Sequence, residues 1–244
     1  MSGAALAQIN AQIVECVRCP RLVRWRHKVA INPPARYAGQ RYWARPVPGF
    51  GDPAARVSLI GLAPAAHGGN RTGRVFTGDR SGDFLFPVLH ETGFANQPTS
   101  THAGDQLRLI DLYISAVNRC APPDNKPTPL ERDNCLPYLV LELTALENAR
   151  LLVCLGAFAW DGALRALSGL GHELPRKPRF GHGAEAQVGP YTLLGTFHPS
   201  QQNTFTGRLT RGMFLEVFVR ARSLVDGGVR SPGSPDSPDS PDGR

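Results

Sequence analysis

Leu6, Ile9, Ile13 and Val17 recur at helical spacing, which predicts an amphipathic helix over residues 4–18 that ends in CVRCP, where Pro20 stops it. Farther along, four runs are apolar and rich in strand-forming residues: RVSLIGLA (56–63), LIDLYISAV (109–117), RLLVCLG (150–156) and YTLLGTF (191–197). Their length and apolarity suit strands buried on both faces. Helical patterns at 82–92, 130–147, 157–169 and 207–224 alternate with them, the last capped by Thr206. The alternation predicts an α/β domain built on a mainly parallel sheet with helices on both faces. In such sheets ligands sit beyond the C-terminal strand ends. That rule selects the segments 61–79, 118–129 and 198–206.

Two stretches stand outside this pattern. Residues 32–53, NPPARYAGQRYWARPVPGFGDP, hold five Pro, four aromatics and three Arg without a period. They predict a long surface excursion, which suits nucleic acid or is plugged onto the body by Tyr42 and Trp43. The last 19 residues repeat S-P-D and hold no apolar cluster to offset chain ordering. The expected organisation is one domain over 1–225 followed by a disordered tail over 226–244 whose partner is unknown. The formal charge is +7; the tail's four Asp and two Arg leave +9 on residues 1–225. A body this basic attracts polyanions, though basic charge alone does not make a nucleic-acid binder. No run approaches the ~18 apolar residues of a membrane helix, and the first residues lack a basic leader. A cytoplasmic monomer is the expectation.

Five cysteines occur. Cys16 and Cys19 form a C-x2-C pair, and Cys120 and Cys135 follow the second apolar run. Four thiolates from distant segments suit zinc or an iron–sulfur cluster that pins the N-terminal helix to the domain; four unrelated thiols are the alternative. Cys154, in the middle of a strand, reads as a core thiol.

The segment GLAPAAHGGNRTGRVFTGD (61–79) begins at a strand end and is rich in glycine, so backbone N–H groups can approach an anion or a base edge. It lacks the Lys of a Walker loop. In HPSQQNTFTGRLT (198–210), His198 directly follows a strand and is poised toward a ligand.

Together YWARPVPGFGDP, GLAPAAHGGNRTGRVFTGD, NRCAPPDNKPTP and HPSQQNTFTGRLT resemble the motifs of the family 5 (type b) uracil-DNA glycosylases, over roughly residues 5–220. The resemblance implies a three-layer α/β/α sandwich with a four-stranded mainly parallel core sheet. It implies a [4Fe–4S] cluster on Cys16, Cys19, Cys120 and Cys135, in preference to zinc. It further implies a monofunctional enzyme of base excision repair that flips uracil out of DNA and hydrolyses its N-glycosidic bond.

In that framework Phe76 stacks on the flipped base and His198 donates a hydrogen bond to the oxygen that gains charge as the base departs. In the best-known uracil-DNA glycosylases an Asp stands two residues after the Gly of the first motif; here that residue is Ala63. Asp79 and Asn125 are the polar residues left to position water, unless Asp79 caps the helix that follows it. Ala116 stands where several sister families keep a uracil-reading Asn. Ala63 and Ala116 together predict looser recognition, extending to hypoxanthine and xanthine. Asn70 is expected near the base, and Arg71, Ser200, Gln201, Gln202, Asn203, Arg41 and Arg45 on the DNA, with Arg71 alternatively bracing its loop. A zinc-containing nucleic-acid-binding module and a hydrolase of free nucleosides or nucleotides are the competing classes.

Overall fold

The computed structural model describes residues 2–174 and 176–227. Among these the strands are β1 (Phe50–Gly51), β2 (Val57–Gly61), β3 (Leu112–Ala116), β4 (Leu151–Leu155), β5 (Glu185–Val188) and β6 (Tyr191–Thr196). The α-helices are α1 (Ser2–Val14), α2 (Pro20–Ile31), α3 (Gly69–Thr72), α4 (Arg80–Glu91), α5 (Pro129–Ala145), α6 (Ala157–Gly169), α7 (Gln201–Phe205) and α8 (Arg211–Gly227). One sheet runs in the order β1-β3-β2-β4-β6-β5. The four apolar runs become its parallel centre, in a register that pairs Leu59 with Ile114 and with Val153. Two antiparallel edge strands, β1 and β5, extend the expected four to six.

Side chains alternate across this sheet and bury on both faces. On one face Leu59, Ile114, Val153 and Leu194 pack with Phe86, Phe214 and Phe218 of α4 and α8. On the other, Ile60, Leu152, Cys154 and Leu193 pack with Leu139 of α5 and Trp160 and Leu164 of α6. Cys154 is thus a core thiol. The layers are α/β/α, with α1 laid over α5 by Leu6, Ile9 and Ile13.

Beyond the additional elements α2, α3, α7, β1 and β5, the differences from the sequence-based expectation lie at element ends. α1 stops at Val14 rather than 18, leaving Val17 67% exposed, because the chain turns to bring Cys16 and Cys19 toward the domain. Pro20 does not end that helix but opens α2, at the first helical position, where a missing N–H costs nothing. The last helix begins at Arg211, and the hydroxyl capping it belongs to Thr210, which accepts the Met213 N–H at 3.2 Å; Thr206 instead donates to the Gln202 carbonyl. The helix continues through Gly227, two residues past the expected domain limit. Residues 228–244, most of the proposed tail, lie outside the described residues.

Strand β3 carries an ion pair into the interior. Arg119, just beyond it, donates both terminal nitrogens to Glu142 of α5, which also accepts the Ser115 hydroxyl. Both charged side chains are 1% exposed. Removing one partner leaves an uncompensated buried charge, so Glu142→Ala should lower stability by about 3–5 kcal/mol in urea unfolding. A loss below about 1 kcal/mol would show that the pair does not hold β3 to α5.

Candidate active site and cysteine cavity

Chain connections leave β2 toward β3 and leave β4 toward β6, so the sheet changes winding direction between β2 and β4. A crevice opens at such a point, beyond the strand ends. Gly61 ends β2, Gly156 follows β4, and His198 lies two residues beyond β6. Phe76 lies over the first of these: a Cβ on Gly61 would come within 2.8 Å of its Cζ. Gly156, at φ +91°, lies against His198, where a Cβ would be 3.3 Å from the His198 Cβ. The Phe76 and His198 rings face each other at 6.0 Å between centroids, tilted by 40°. Phe76 itself holds a left-handed backbone (φ 53°), an unfavourable conformation for a bulky residue.

The His198 backbone is fixed from its own segment. Its carbonyl accepts the Ser200 N–H at 2.8 Å and Asn203 Nδ2 at 2.9 Å. Asn203, expected on DNA, is therefore turned toward His198. Neither ring nitrogen of His198 has a hydrogen-bond partner among the described residues, which leaves both to a ligand. Surrounding protein desolvates the ring and pushes its pKa down to about 4. At neutral pH the imidazole is uncharged, with one N–H to donate.

Asp79 caps α4: its carboxylate accepts the Gly82 N–H at 2.9 Å and presses against Gly68, where a Cβ would lie 1.9 Å from Oδ2. Burial raises its pKa against the lowering effect of the backbone N–H groups. Ala63 is half-buried in the loop after β2, and Ala116 is buried at the end of β3, in register with Gly61. Asn125 is exposed on a 3-10 turn (Pro123–Asn125), with no side-chain hydrogen bond among the described residues.

Two expected ligand contacts act as braces. Asn70 is 1% exposed and its Nδ2 donates to the Arg26 carbonyl at 3.2 Å and the Ala66 carbonyl at 3.4 Å, which ties the loop to α2. Arg71 spends its donors on the carbonyls of His67 and Gly78 and on Gln40, with its guanidinium over Tyr37. Loop bracing is the alternative that the geometry favours. Tyr42 and Trp43 do plug the 32–53 excursion onto the body, through Tyr42 Oη to His67 at 2.9 Å and the Trp43 ring against Gly73. Arg41 is exposed, and Arg45 shares an exposed ion pair with Glu15. Ser200 is half-buried at the start of α7, with Gln201 and Gln202 exposed after it. Phe205, a large apolar residue alone in a polar run, ends this helix 78% exposed.

Cys16, Cys19, Cys120 and Cys135 border one cavity with Leu22 and Arg119. Three donors address sulfur there: Arg26 Nη1 to Cys120 at 3.1 Å, the Arg119 N–H to Cys135 at 3.4 Å and Asn134 Nδ2 to Cys19 at 3.6 Å. Burial pushes Cys120 up to about 11 and Cys135 up to about 12, so as thiols they stay protonated at neutral pH. No three His, Cys, Asp or Glu among the described residues converge on the position of a single metal ion.

Residues 48–221 match the model of the uracil DNA glycosylase superfamily. The chain belongs to that superfamily. Within it, the chain is similar to proteins named type-5 uracil-DNA glycosylase. It is 50% identical to the one from Mycobacterium tuberculosis over 91% of this chain and 82% of the relative. For Mycobacterium leprae the identity is 50% over 92% and 98%, and for Thermus thermophilus it is 52% over 87% and 94%. A type-4 uracil-DNA glycosylase from Thermotoga maritima is more distant, at 29% over 73% and 82%. The family resemblance read from the motifs is borne out, as is the α/β/α fold it implied. No helix among the described residues is long and apolar enough to cross a membrane.

His198 supplies a pH test of this superfamily member. In the unfolded chain its imidazole gains a proton near 6.5, in the fold only near 4. Between those values the unfolded state binds more protons, so this contribution to stability is complete above 6.5 and is lost as pH falls toward 4. NMR titration should place the His198 midpoint near 4; a midpoint at the ordinary imidazole value would contradict the burial assigned to the ring.

Proposed function

We propose that this chain hydrolyses the N-glycosidic bond of uracil in DNA and leaves an abasic site. The observation that carries the reading is the neutral His198 facing Phe76 across a crevice at the strand ends. The C1′–N1 bond is out of reach in a stacked duplex, so the nucleotide is flipped, and Phe76 takes the base against its ring. As that bond breaks, its electron pair goes to the base, chiefly to O2, and positive charge grows at C1′. The N–H of a neutral imidazole stabilises that oxygen more in the transition state than in the ground state. The oxygen of water then bonds to C1′, and the proton released returns through solvent to the base. Asp79 and Asn125 are the polar candidates to position that water, although the helix-capping role that Asp79 takes in α4 already engages one of its oxygens. Ser200, Gln201, Gln202 and the exposed Phe205 face the strand and the gap left by the base, with Arg41 and Arg45 on phosphates. Ala63 and Ala116 present methyl groups instead of a base-reading carboxylate or amide, which supports activity on hypoxanthine and xanthine as well.

A labelled duplex panel carrying uracil, hypoxanthine or xanthine, treated with protein and then alkali, tests this reading. Strand cleavage should appear at the lesion only after alkali. Single-turnover cleavage should fall about 10²–10³-fold in His198→Ala. Unchanged cleavage in that variant removes His198 from the chemistry, and cleavage of the uracil duplex alone refutes the broader range.

We further infer that the four cysteines hold a [4Fe–4S] cluster. They line one pocket and supply a four-thiolate donor set, the set that such a cluster takes. Arg26 Nη1 and the Arg119 backbone N–H address Cys120 and Cys135, N–H···S contacts of the kind that steady cluster thiolates. Bound there, the cluster supplies a covalent cross-link between the start of α2, the loop after β3 and α5. Anaerobically purified protein should be brown and carry about four iron per chain; stoichiometric zinc would overturn the assignment.

A further inference from the structure

Arg26, on α2, touches both the cysteines and the first pocket segment. Its guanidinium reaches Cys120 Sγ at 3.1 Å and the Cys16 carbonyl at 3.5 Å, while its own carbonyl accepts Asn70 Nδ2 at 3.2 Å. Asn70 belongs to α3, inside the first pocket segment. From there the Arg71 guanidinium holds the Gly78 carbonyl at 2.8 Å. The Thr72 hydroxyl lies 3.1 Å from the carbonyls of Gly68 and Arg74, and Gly68 abuts the Asp79 carboxylate. These bonds run without a break from the cysteine cavity to the residues flanking Phe76.

Helix α2 has little freedom to shift independently. It starts at the residue after Cys19, buries Leu22, and is tied to α5 by Arg21, whose Nε and Nη2 each lie 2.7 Å from a Glu131 oxygen. We propose that Arg26 and Asn70 are positioning residues that couple the metal-loaded cysteines to the base pocket: the cysteines set α2, and α2 sets the loop carrying Phe76 and Asp79. The proposal rests on the cysteine-cluster reading and deepens the glycosylase reading. Coupling of this kind is reciprocal, so a base held in the pocket must also steady the metal site.

The test measures metal release from purified metal-loaded protein into a chelator, with and without a bound duplex carrying an uncleavable uracil nucleotide. In the wild type the duplex should slow release measurably. Asn70→Ala should retain metal and bind the duplex, yet lose that slowing, and amide exchange over residues 68–79 should quicken. Arg26→Lys should release metal faster and quicken exchange over the same residues, although its carbonyl is unchanged. Should the alanine variant fail to fold, Asn70→Leu removes the donor at nearly constant shape without adding a buried charge. The proposal is overturned if the duplex slows release equally in the Asn70 variant. It is also overturned if Arg26→Lys alters release while exchange over 68–79 stays at the wild-type rate. Wild-type protein holding no metal overturns it together with the cluster reading, and the alkali assay reports separately on the glycosylase.

Discussion

Phe76 faces His198 because its ring rests on bare backbone at Gly61. A side chain there would occupy the space of the ring, and the crevice between β2 and β4 would lose its aromatic wall. The requirement reaches outward along the chain. The left-handed turn at Phe76 is unfavourable by itself, so its neighbours must hold it: Asp79 capping α4 on one side, and the bonds of Thr72 and Arg71 on the other. The pocket is therefore a property of the whole 61–79 loop and its supports.

Those supports explain why residues that look like ligand contacts in a motif serve as framework in the fold. Asn70 and Arg71 are polar, adjacent and set in a glycine-rich loop, a composition that suits base or phosphate contact equally well. A loop that must be bare on the ligand side has few apolar residues to pack, and it holds its shape with hydrogen bonds to its own carbonyls. Arg74 plays the same part, bound to Asp105, Thr77 and Ser100 below the loop. Side-chain direction separates the two uses, and sequence carries little of that information.

Much of the fold was legible because the central strands are apolar along their whole length. Continuous runs such as LLVCL and LYISA are readable when both faces are covered. The edge strands were not: β1 is two residues long, and β5 reads Glu-Ala-Gln-Val, with only Val188 fully buried. α2 escaped because PRLVRWRHKVAI buries an arginine among its apolar positions, so its buried face looks polar. In the site, His198 and Phe76 were readable from their place at strand ends and in motifs. The turning of Asn203 back to the His198 carbonyl, and the exposure of Phe205, depend on how five residues of α7 are oriented, which no periodicity encodes over so short a span.

The two edge strands carry a consequence for the protein's behaviour in a crowded solution. A sheet with a parallel centre exposes unpaired N–H and C=O groups at its margins, where another chain can dock and begin an aggregate. Here one margin is only two residues long. The other bears Glu185, bonded to Arg220 of α8 at 2.7 Å, with Gln187 exposed beside it. Short length on one side and charge on the other discourage edge-to-edge growth. The apolar core that builds the pocket is thereby shielded from becoming a template for self-association.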